Sequence, residues 1–263
     1  MQVCMVQFKK NSRRYFFSHD GIELKEKDFV VVETIRGLEL GSVCKIDCQV
    51  PEEFPEIKPI LRIANDKDFF DYKRNEEMKK EAFSDCKKLA IKNELDMKIV
   101  DVEFTLDHQK LHVSYEASNR VDFRQFVKDL AEIYHIRIEM RQISSRESSK
   151  ILGGLGPCGL VMCCNSFLND FDNITIKMAK NQNLSLNPQK INGACGKLLC
   201  CIRYENDVYT FLKENLPDAG DVIDVPEKGK AKVLSINVLT GDMRLKMLED
   251  ESFLNINIKD FTK

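Results

Sequence analysis

Residues 156–164 read G-P-C-G-L-V-M-C-C, and residues 193–201 read G-A-C-G-K-L-L-C-C. The two stretches share the frame G-x-C-G-x-x-x-C-C at an offset of 37 residues, and we call them the first and second cassettes. Together they hold six of the ten cysteines of the chain. Thiolates bind zinc and iron-sulfur clusters strongly. Six thiols at matching positions in two copies therefore indicate coordination, and we expect the rest of the chain to build a framework around them.

The candidate ligands leave the identity of the bound group open. They are Cys158, Cys163, Cys164, Cys195, Cys200 and Cys201. A 4Fe-4S cluster and a Cys4 zinc site each need four thiolates. The C-x4-C step within each cassette also occurs in plant-type ferredoxins, whereas the C-x2-C step of zinc knuckles is absent. This spacing favours an iron-sulfur cluster, with a zinc site as the alternative. A third interpretation is that the six cysteines bind nothing and are only packed in the protein interior.

The adjacent cysteines at the end of each cassette carry a further implication. Neighbouring side chains project differently and rarely serve one metal atom together, so we expect each pair to divide its roles. One thiol would face inward, and the other would serve a second iron, a second cluster or a partner. Because one site needs four of the six thiols, two are left over. The surplus indicates a junction with other proteins.

The sequence does not predict an enzyme. Gly154, Gly156 and Gly159 formally match the dinucleotide-binding pattern G-x-G-x-x-G, but that pattern requires a strand directly before it and a βαβ unit after it. Here a polar stretch precedes the glycines, and Pro157 stiffens the loop. The sequence has no G-K-[ST] phosphate loop and no H-E-x-x-H helix. A redox enzyme that uses the cluster is a third hypothesis, without a flavin or nicotinamide motif to support it.

Composition limits where the chain works and what it binds. The 263 residues are 43% hydrophobic, enough for two or three domains with real cores. The 40 basic and 42 acidic residues nearly cancel, so no global field draws the chain to nucleic acid or to a membrane. We find no signal peptide and no span of about 18 apolar residues. We therefore expect a cytoplasmic protein without direct membrane insertion, whose cysteines are thiols or ligands and not five disulfides.

Hydrophobic periodicity predicts an α+β fold. The centre reads α-β-β-α-β, with helices over residues 66–93 and 122–134 and strands over residues 97–106, 110–115 and 136–143. We expect a start signal for the second helix at residues 119–122. This order places two helices on one face of a three-stranded sheet, an arrangement often seen in small RNA-binding modules.

Small β modules are expected at both ends. Strands are predicted at residues 2–8, 28–34 and 42–48, followed by a linker marked by Pro51, Pro55 and Pro59. After a short helix at residues 204–214, four strands at residues 222–225, 230–238, 243–248 and 252–258 fit a small barrel. The predicted domains are 1–60, 61–147, 148–216 (the cysteine-rich region) and 217–263. We expect Cys4, Cys44, Cys48 and Cys86 to be buried as small hydrophobes.

A local basic patch accompanies the cassettes. From residue 141 to residue 201 seven basic residues face three acidic ones, a balance of +4. With the amide side chains between the cassettes, this patch could meet RNA phosphates and bases. The alternative is a solvated surface or one that neutralises an anionic cluster. The candidate nucleic-acid contacts are Arg141, Lys177, Lys180 and Lys190.

Longer runs of sequence carry a family resemblance. The runs G-G-L-G-P-C-G-L-V-M-C-C-N-S-F-L-N-D-F, I-K-M-A-K-N-Q-N-L-S-L-N-P and I-N-G-A-C-G-K-L-L-C-C-I-R-Y-E resemble the bacterial YaaT/RicT family of the Y-complex. M-K-I-V-D-V-E-F-T-L and V-D-F-R-Q-F-V-K-D-L-A-E-I-Y resemble its PSP-one (polymerase suppressor protein) domain. The resemblance covers roughly residues 60–210.

The resemblance implies a non-enzymatic adaptor that joins two small helical partner proteins. Such an adaptor carries 4Fe-4S ligands and acts with the membrane-bound endoribonuclease Y in messenger RNA maturation and turnover. In sporulating relatives this affects development, biofilm and competence. By this resemblance the cluster ligands fall on the six cassette cysteines. The main rival hypothesis is a zinc-stabilised RNA-binding module that works alone.

Overall fold

A computed structural model describes residues 2–9, 13–49, 57–169, 172–214, 216–226 and 228–260. The chain divides into two compact units, residues 1–170 and residues 171–263, and each is described by itself. Helices and sheets occur in both, which confirms the predicted α+β class. The prolines expected to mark a linker, Pro51 and Pro55, lie outside the described residues.

The first unit begins with a five-stranded antiparallel sheet. Its strands are β1 (Val3–Gln7), β2 (Arg14–Ser18), β3 (Phe29–Thr34), β4 (Gly37–Lys45) and β5 (Ile60–Ile63), in the spatial order β2-β1-β4-β3-β5. The predictions for β1 and β3 are confirmed, and β2 was missed. The strand predicted at residues 42–48 instead starts and ends earlier, as β4. β5 extends this sheet by pairing with β3.

The structure separates the four cysteines outside the cassettes into two groups. Cys4 and Cys86 are fully buried, as predicted. Burial raises the pKa of the Cys4 thiol to about 11 and that of Cys86 to about 12, as it does for inert interior thiols. The prediction for Cys44 and Cys48 is wrong, because both are only half-buried. In β4 the residue that faces the core is Val43, and side chains alternate between the faces of a strand.

The centre of the first unit has the predicted α-β-β-α-β order. It consists of α1 (Asp66–Lys92), β6 (Lys98–Phe104), β7 (Lys110–Glu116), α2 (Arg124–Tyr134) and β8 (Arg137–Gln142). β7 pairs antiparallel with β6 and parallel with β8. Both helices pack on one sheet face around Leu111, Phe126 and Leu130. α2 begins two residues later than predicted, with Phe123 as its N-cap and no side-chain cap bond from that residue, and Asp122 of the predicted start signal accepts a bond from Arg124 N at 3.2 Å.

Two short helices end the first unit, and the second unit contains three helices and a third, four-stranded sheet. The short helices are α3 (Ser145–Leu152) and α4 (Cys163–Ser166). The second unit contains α5 (Ile176–Asn181), α6 (Pro188–Ile191), α7 (Cys200–Lys213), β9 (Val222–Val225), β10 (Gly229–Ile236), β11 (Asp242–Met247) and β12 (Phe253–Asn257). The four strands form an antiparallel meander in the order β12-β11-β10-β9. Within the described residues β9 and β12 do not pair, so the sheet is open and does not close into the barrel that the sequence suggested.

A partly buried charge network joins the N-terminal sheet to the central layer of the first unit. The Arg36 guanidinium, in the turn between β3 and β4, lies 2.5 Å from the Glu103 carboxylate on β6, and Lys9 also pairs with Glu103. The main chain adds a bond from Leu106 N to Leu38 O at 2.9 Å. Burial raises the pKa of Glu103, but Lys9 and Arg36 outweigh burial and hold that pKa at about 2. The carboxylate therefore stays charged.

Replacement of Glu103 by Gln should destabilise the fold. A carboxylate whose pKa lies below its unfolded value of 4.5 stabilises the folded state above about pH 4.5, and this stabilisation is lost as the pH falls towards about 2. From the size of the shift, Glu103→Gln should lower the free energy of unfolding by about 3 kcal/mol at pH 7. The difference in the free energy of unfolding between the variant and the unmodified chain, measured by chemical denaturation, should shrink towards pH 3.

The matched control is Glu77→Gln, which removes the same charge from an exposed position on α1. We expect it to change the free energy of unfolding by less than about 0.5 kcal/mol. Equal effects of the two variants, or a difference that does not depend on pH, would contradict the role given to Glu103.

Candidate metal centre

The two cassettes fold into the same short hairpin. In the first, Leu155 bridges Val161, Gly156 N donates to Leu160 O at 2.8 Å, and Gly159 N donates to Gly156 O at 3.0 Å. The second repeats these contacts at the same offset of 37 residues. Its contacts are the bridge Asn192–Leu198, Gly193 N to Lys197 O at 2.8 Å and Gly196 N to Gly193 O at 2.9 Å. The repeat in sequence is thus a repeat in backbone structure.

The second glycine of each cassette makes the tight turn possible. Gly159 has φ +79° and Gly196 has φ +75°, a left-handed conformation that is strained for other L-residues. A Cβ at either glycine would meet no atom within 4 Å. The first thiol of each cassette folds back over its own hairpin. A Cβ atom added at Gly156 would lie 3.4 Å from Cys158 Sγ, and one added at Gly193 would lie 3.8 Å from Cys195 Sγ. Each tight turn therefore holds one thiol near its first glycine, and the space beside its second glycine is open.

The paired cysteines open a helix in both cassettes. Cys163 and Cys164 are the first residues of α4, and Cys200 and Cys201 are the first residues of α7. The residue before each pair lies outside the helical region, with φ −52° and ψ 132° at Met162 and φ −57° and ψ 131° at Leu199. Cys158 is exposed, Cys164 is buried, and the other four cassette thiols are half-buried. The predicted helix start at residue 204 was thus too late, because the helix begins inside the cassette.

The first cassette is held by polar contacts from its flanks. Asn165 Nδ2 donates to the Lys150 carbonyl at 2.8 Å, and Lys150 Nζ donates to Asn169 Oδ1 at 3.0 Å. Ser144 caps α3 by accepting a bond from Glu147 N at 3.3 Å. These bonds tie α3 to the short helix that carries Cys163 and Cys164. Sequence reasoning missed Asn165, whose only signal was its place directly after the cysteine pair.

The second cassette rests on a small core of its own. Ala179, Ile191 and Ile202 are buried together, with Leu198 and Leu199 packed against them. Gln182 is also buried, and its Nε2 donates to the Ile202 carbonyl at 2.6 Å, one residue after Cys201. The amide side chains expected to meet RNA therefore act partly inside the protein. Gln182 positions the first turn of α7.

The six cassette thiols are chemically suited to bind zinc or an iron-sulfur cluster. Each compact unit supplies three thiols in the same sequence positions on the same hairpin. Within the described ranges, however, no three Cys, His, Asp or Glu side chains come close enough together to hold a metal ion.

The candidate nucleic-acid contacts lie in both units. Lys177 and Lys180 are exposed on α5, and Lys190 is exposed on α6, all in the second unit. Arg141, on β8 of the first unit, has its Nη2 2.6 Å from Glu147 Oε1. Its charge is thus partly offset inside the protein. The three lysines share one unit, and Arg141 does not belong to it.

Comparison with known proteins shows which family the chain belongs to. The family described as PSP1 C-terminal conserved region matches residues 58–143, and the PSP1-like protein third domain matches residues 173–216. The stage 0 sporulation protein YaaT of Bacillus subtilis (strain 168) is 45% identical over 254 residues, which are 96% of this chain and 92% of that protein. The chain belongs to the YaaT family of PSP1-domain proteins. The predicted resemblance is confirmed.

A more distant relative matches a smaller part of this YaaT-family chain. An uncharacterized protein of Schizosaccharomyces pombe is 26% identical over 176 residues, which are 55% of this chain and 24% of that protein. No solved structure matches the chain. Across the described ranges, none of the helices combines the length and apolar character that a bilayer crossing requires. The division into four domains stays a prediction.

The left-handed turn of the second cassette can be tested through stability. We expect Gly196→Ala to lower the free energy of unfolding by about 1 kcal/mol, because alanine is strained at φ +75° even where space is open. Gly193→Ala is the matched control, since its Cβ would make ordinary contacts at 3.6 Å or more. Both are measured by chemical denaturation of the metal-free chain. A loss at Gly193 as large as that at Gly196 would contradict the turn geometry.

Proposed function

We propose that this chain is a non-enzymatic adaptor that carries a 4Fe-4S cluster within a regulatory complex. In this proposal it joins two small helical partner proteins and acts with endoribonuclease Y in messenger RNA maturation and turnover. The observation that carries the proposal is the duplicated thiol hairpin, which repeats the same backbone bonds in both compact units. The similar protein of Bacillus subtilis is named for stage 0 of sporulation, which supports a developmental role for the complex.

The cluster-holding residues are assigned from the cassettes. Cys158 and Cys195 lie in the tight turns, and each cysteine pair lies at the start of the helix that follows. The full set is Cys158, Cys163, Cys164, Cys195, Cys200 and Cys201. When bound, the cluster supplies an oxygen-sensitive, thiolate-held cross-link. The chain's own part is to hold the thiols on rigid hairpins. The left-handed glycines keep the backbone close to the ligands, and no side chain fills the space beside them.

The adaptor role is supported by the number of thiols in the cassettes. One cluster needs four ligands, and the two cassettes hold six thiols. In the proposal, the surplus thiols are shared with partner proteins, which are thereby held to the chain. Cluster binding and assembly are then one event.

Metal analysis tests the identity of the group. The unmodified chain is purified without oxygen together with the proteins that accompany it, and iron, acid-labile sulfide and zinc are measured per chain. We expect iron and sulfide in comparable amounts and Cys195→Ser to lose most of both. Cys44→Ser, which changes a half-buried cysteine of β4, is the control and should retain them. Zinc in stoichiometric amount without sulfide would overturn the iron-sulfur assignment and favour the zinc-stabilised module.

Partner binding tests the adaptor mechanism. If the cluster is the cross-link, Cys195→Ser should lose its co-purifying partners together with its iron, whereas Cys44→Ser should keep them. The readout is size-exclusion chromatography with light scattering under anaerobic conditions. A Cys195→Ser chain that lacks iron but still elutes in the intact assembly would contradict the coupling of cluster and partners.

A further inference from the structure

The sheet of the second unit has one buried face and one open face. Along β10 and β11 burial alternates at every residue apart from a bulge between Val233 and Ser235. The buried side contains Ala231, Val233, Leu245 and Met247. Since successive side chains point to opposite faces, the residues between them form a flat surface that no other described segment of this unit covers.

The open face is basic along its two central strands. β10 contributes Lys230 and Lys232, and β11 contributes Arg244 and Lys246. In the register of the sheet Lys232 lies directly opposite Lys246. Like charges directly opposite each other on one face destabilise a sheet. Glu251 offsets part of the charge on Lys246, and a bound anion would relieve the remaining repulsion.

An aromatic side chain borders the cations. Phe253 on β12 pairs in register with Lys246, and its side chain is 62% exposed. The Arg244 guanidinium lies 5.2 Å from the centre of the Phe253 ring. One row across the sheet thus reads Val222, Lys232, Lys246 and Phe253. Exposed aromatic rings beside arginine are surfaces on which unpaired bases stack.

Acidic residues lie mostly around this face and not on its centre. Asp224 is on the edge strand β9, opposite Lys230. Glu251, in the turn between β11 and β12, reaches Lys246 at 3.0 Å. Asp242 shares the face at the start of β11, where its carboxylate accepts bonds from Thr240 Oγ1 at 2.6 Å and Asn257 Nδ2 at 2.7 Å. Asn255 lies opposite Arg244. The segregation of charge makes the centre of the face positive although the chain as a whole is nearly neutral.

We propose that the open face of β9–β12 binds single-stranded RNA. The lysines and Arg244 would contact phosphates, while Phe253 would stack on one base and Asn255 would lie within reach of its edge. A single strand fits because its unpaired bases can turn towards the sheet, whereas the bases of a duplex are stacked inward. The choice of RNA over DNA rests on the proposed function, but the surface itself does not depend on the cassettes.

Fluorescence anisotropy with a labelled single-stranded oligouridylate tests the proposal on the full chain. We expect binding with a Kd that rises with salt, since each phosphate contact on a single strand adds roughly 0.7 to the salt slope. Lys232→Glu with Lys246→Glu should weaken binding at least about tenfold and lower that slope by roughly 1.4. Phe253→Ala should weaken binding about tenfold through the lost stacking.

Two matched variants locate the surface. Lys88→Glu with Lys92→Glu makes the same charge change on exposed positions of α1, and it should bind like the unmodified chain. Lys177→Glu with Lys180→Glu tests the lysines of α5 as the competing surface. Thermal unfolding of every variant accompanies the titrations, and the replaced residues of the sheet are exposed or half-buried. The proposal is overturned if the α5 variant loses binding and the sheet variant does not.

Photo-cross-linking of the unmodified chain supplies a readout that needs no variant. With 4-thiouridine in the oligonucleotide, cross-linked peptides should map to residues 228–260. Cross-links confined to residues 172–201, or the absence of any binding, would overturn the proposal. The Cys195→Ser chain separates this inference from the proposed function, since it should lose iron and retain RNA binding.

Discussion

In each cassette the N–H of the first glycine donates to the carbonyl oxygen four residues later, and this bond closes a loop only three residues long. Such a loop forces one residue into the left-handed region, and Gly159 and Gly196 supply it. The strand then leaves the loop in a fixed direction, so the following cysteine pair reaches the start of a helix. The position of all three thiols therefore depends on a local backbone constraint.

The rest of each unit keeps that constraint in place. In the first unit α3 and the amide of Asn165 hold the short helix behind the cassette. In the second unit a small core and the buried Gln182 hold the first turn of α7. Different supports around the same hairpin indicate that the hairpin is the repeated feature. Two hairpins with the same backbone bonds thus present three thiols each.

Local patterns in the sequence predicted the elements that are set by nearby residues. The α-β-β-α-β order follows from apolar periodicity over α1, β6 and β7, and the duplicated cassettes could be read directly from their glycines and cysteines. Features that depend on distant partners were missed. The phase of β4, which buries Val43 and leaves Cys44 half-buried, is set by pairing with β1 and β3. Whether the last sheet is open depends on which edge strands pair. The internal role of Gln182 gave no signal, because a buried amide and an exposed one look alike in sequence.

The central claim is that both cassettes hold one kind of metal group, and iron and sulfide content tests it most directly. Two chains are compared after anaerobic purification, each with the three cysteines of one cassette changed to serine. The account predicts that each loses at least half of the iron and sulfide of the unmodified chain, because the two hairpins are equivalent. Full retention of iron and sulfide in either chain would contradict it, since that cassette would then be a packed turn and not part of a metal centre.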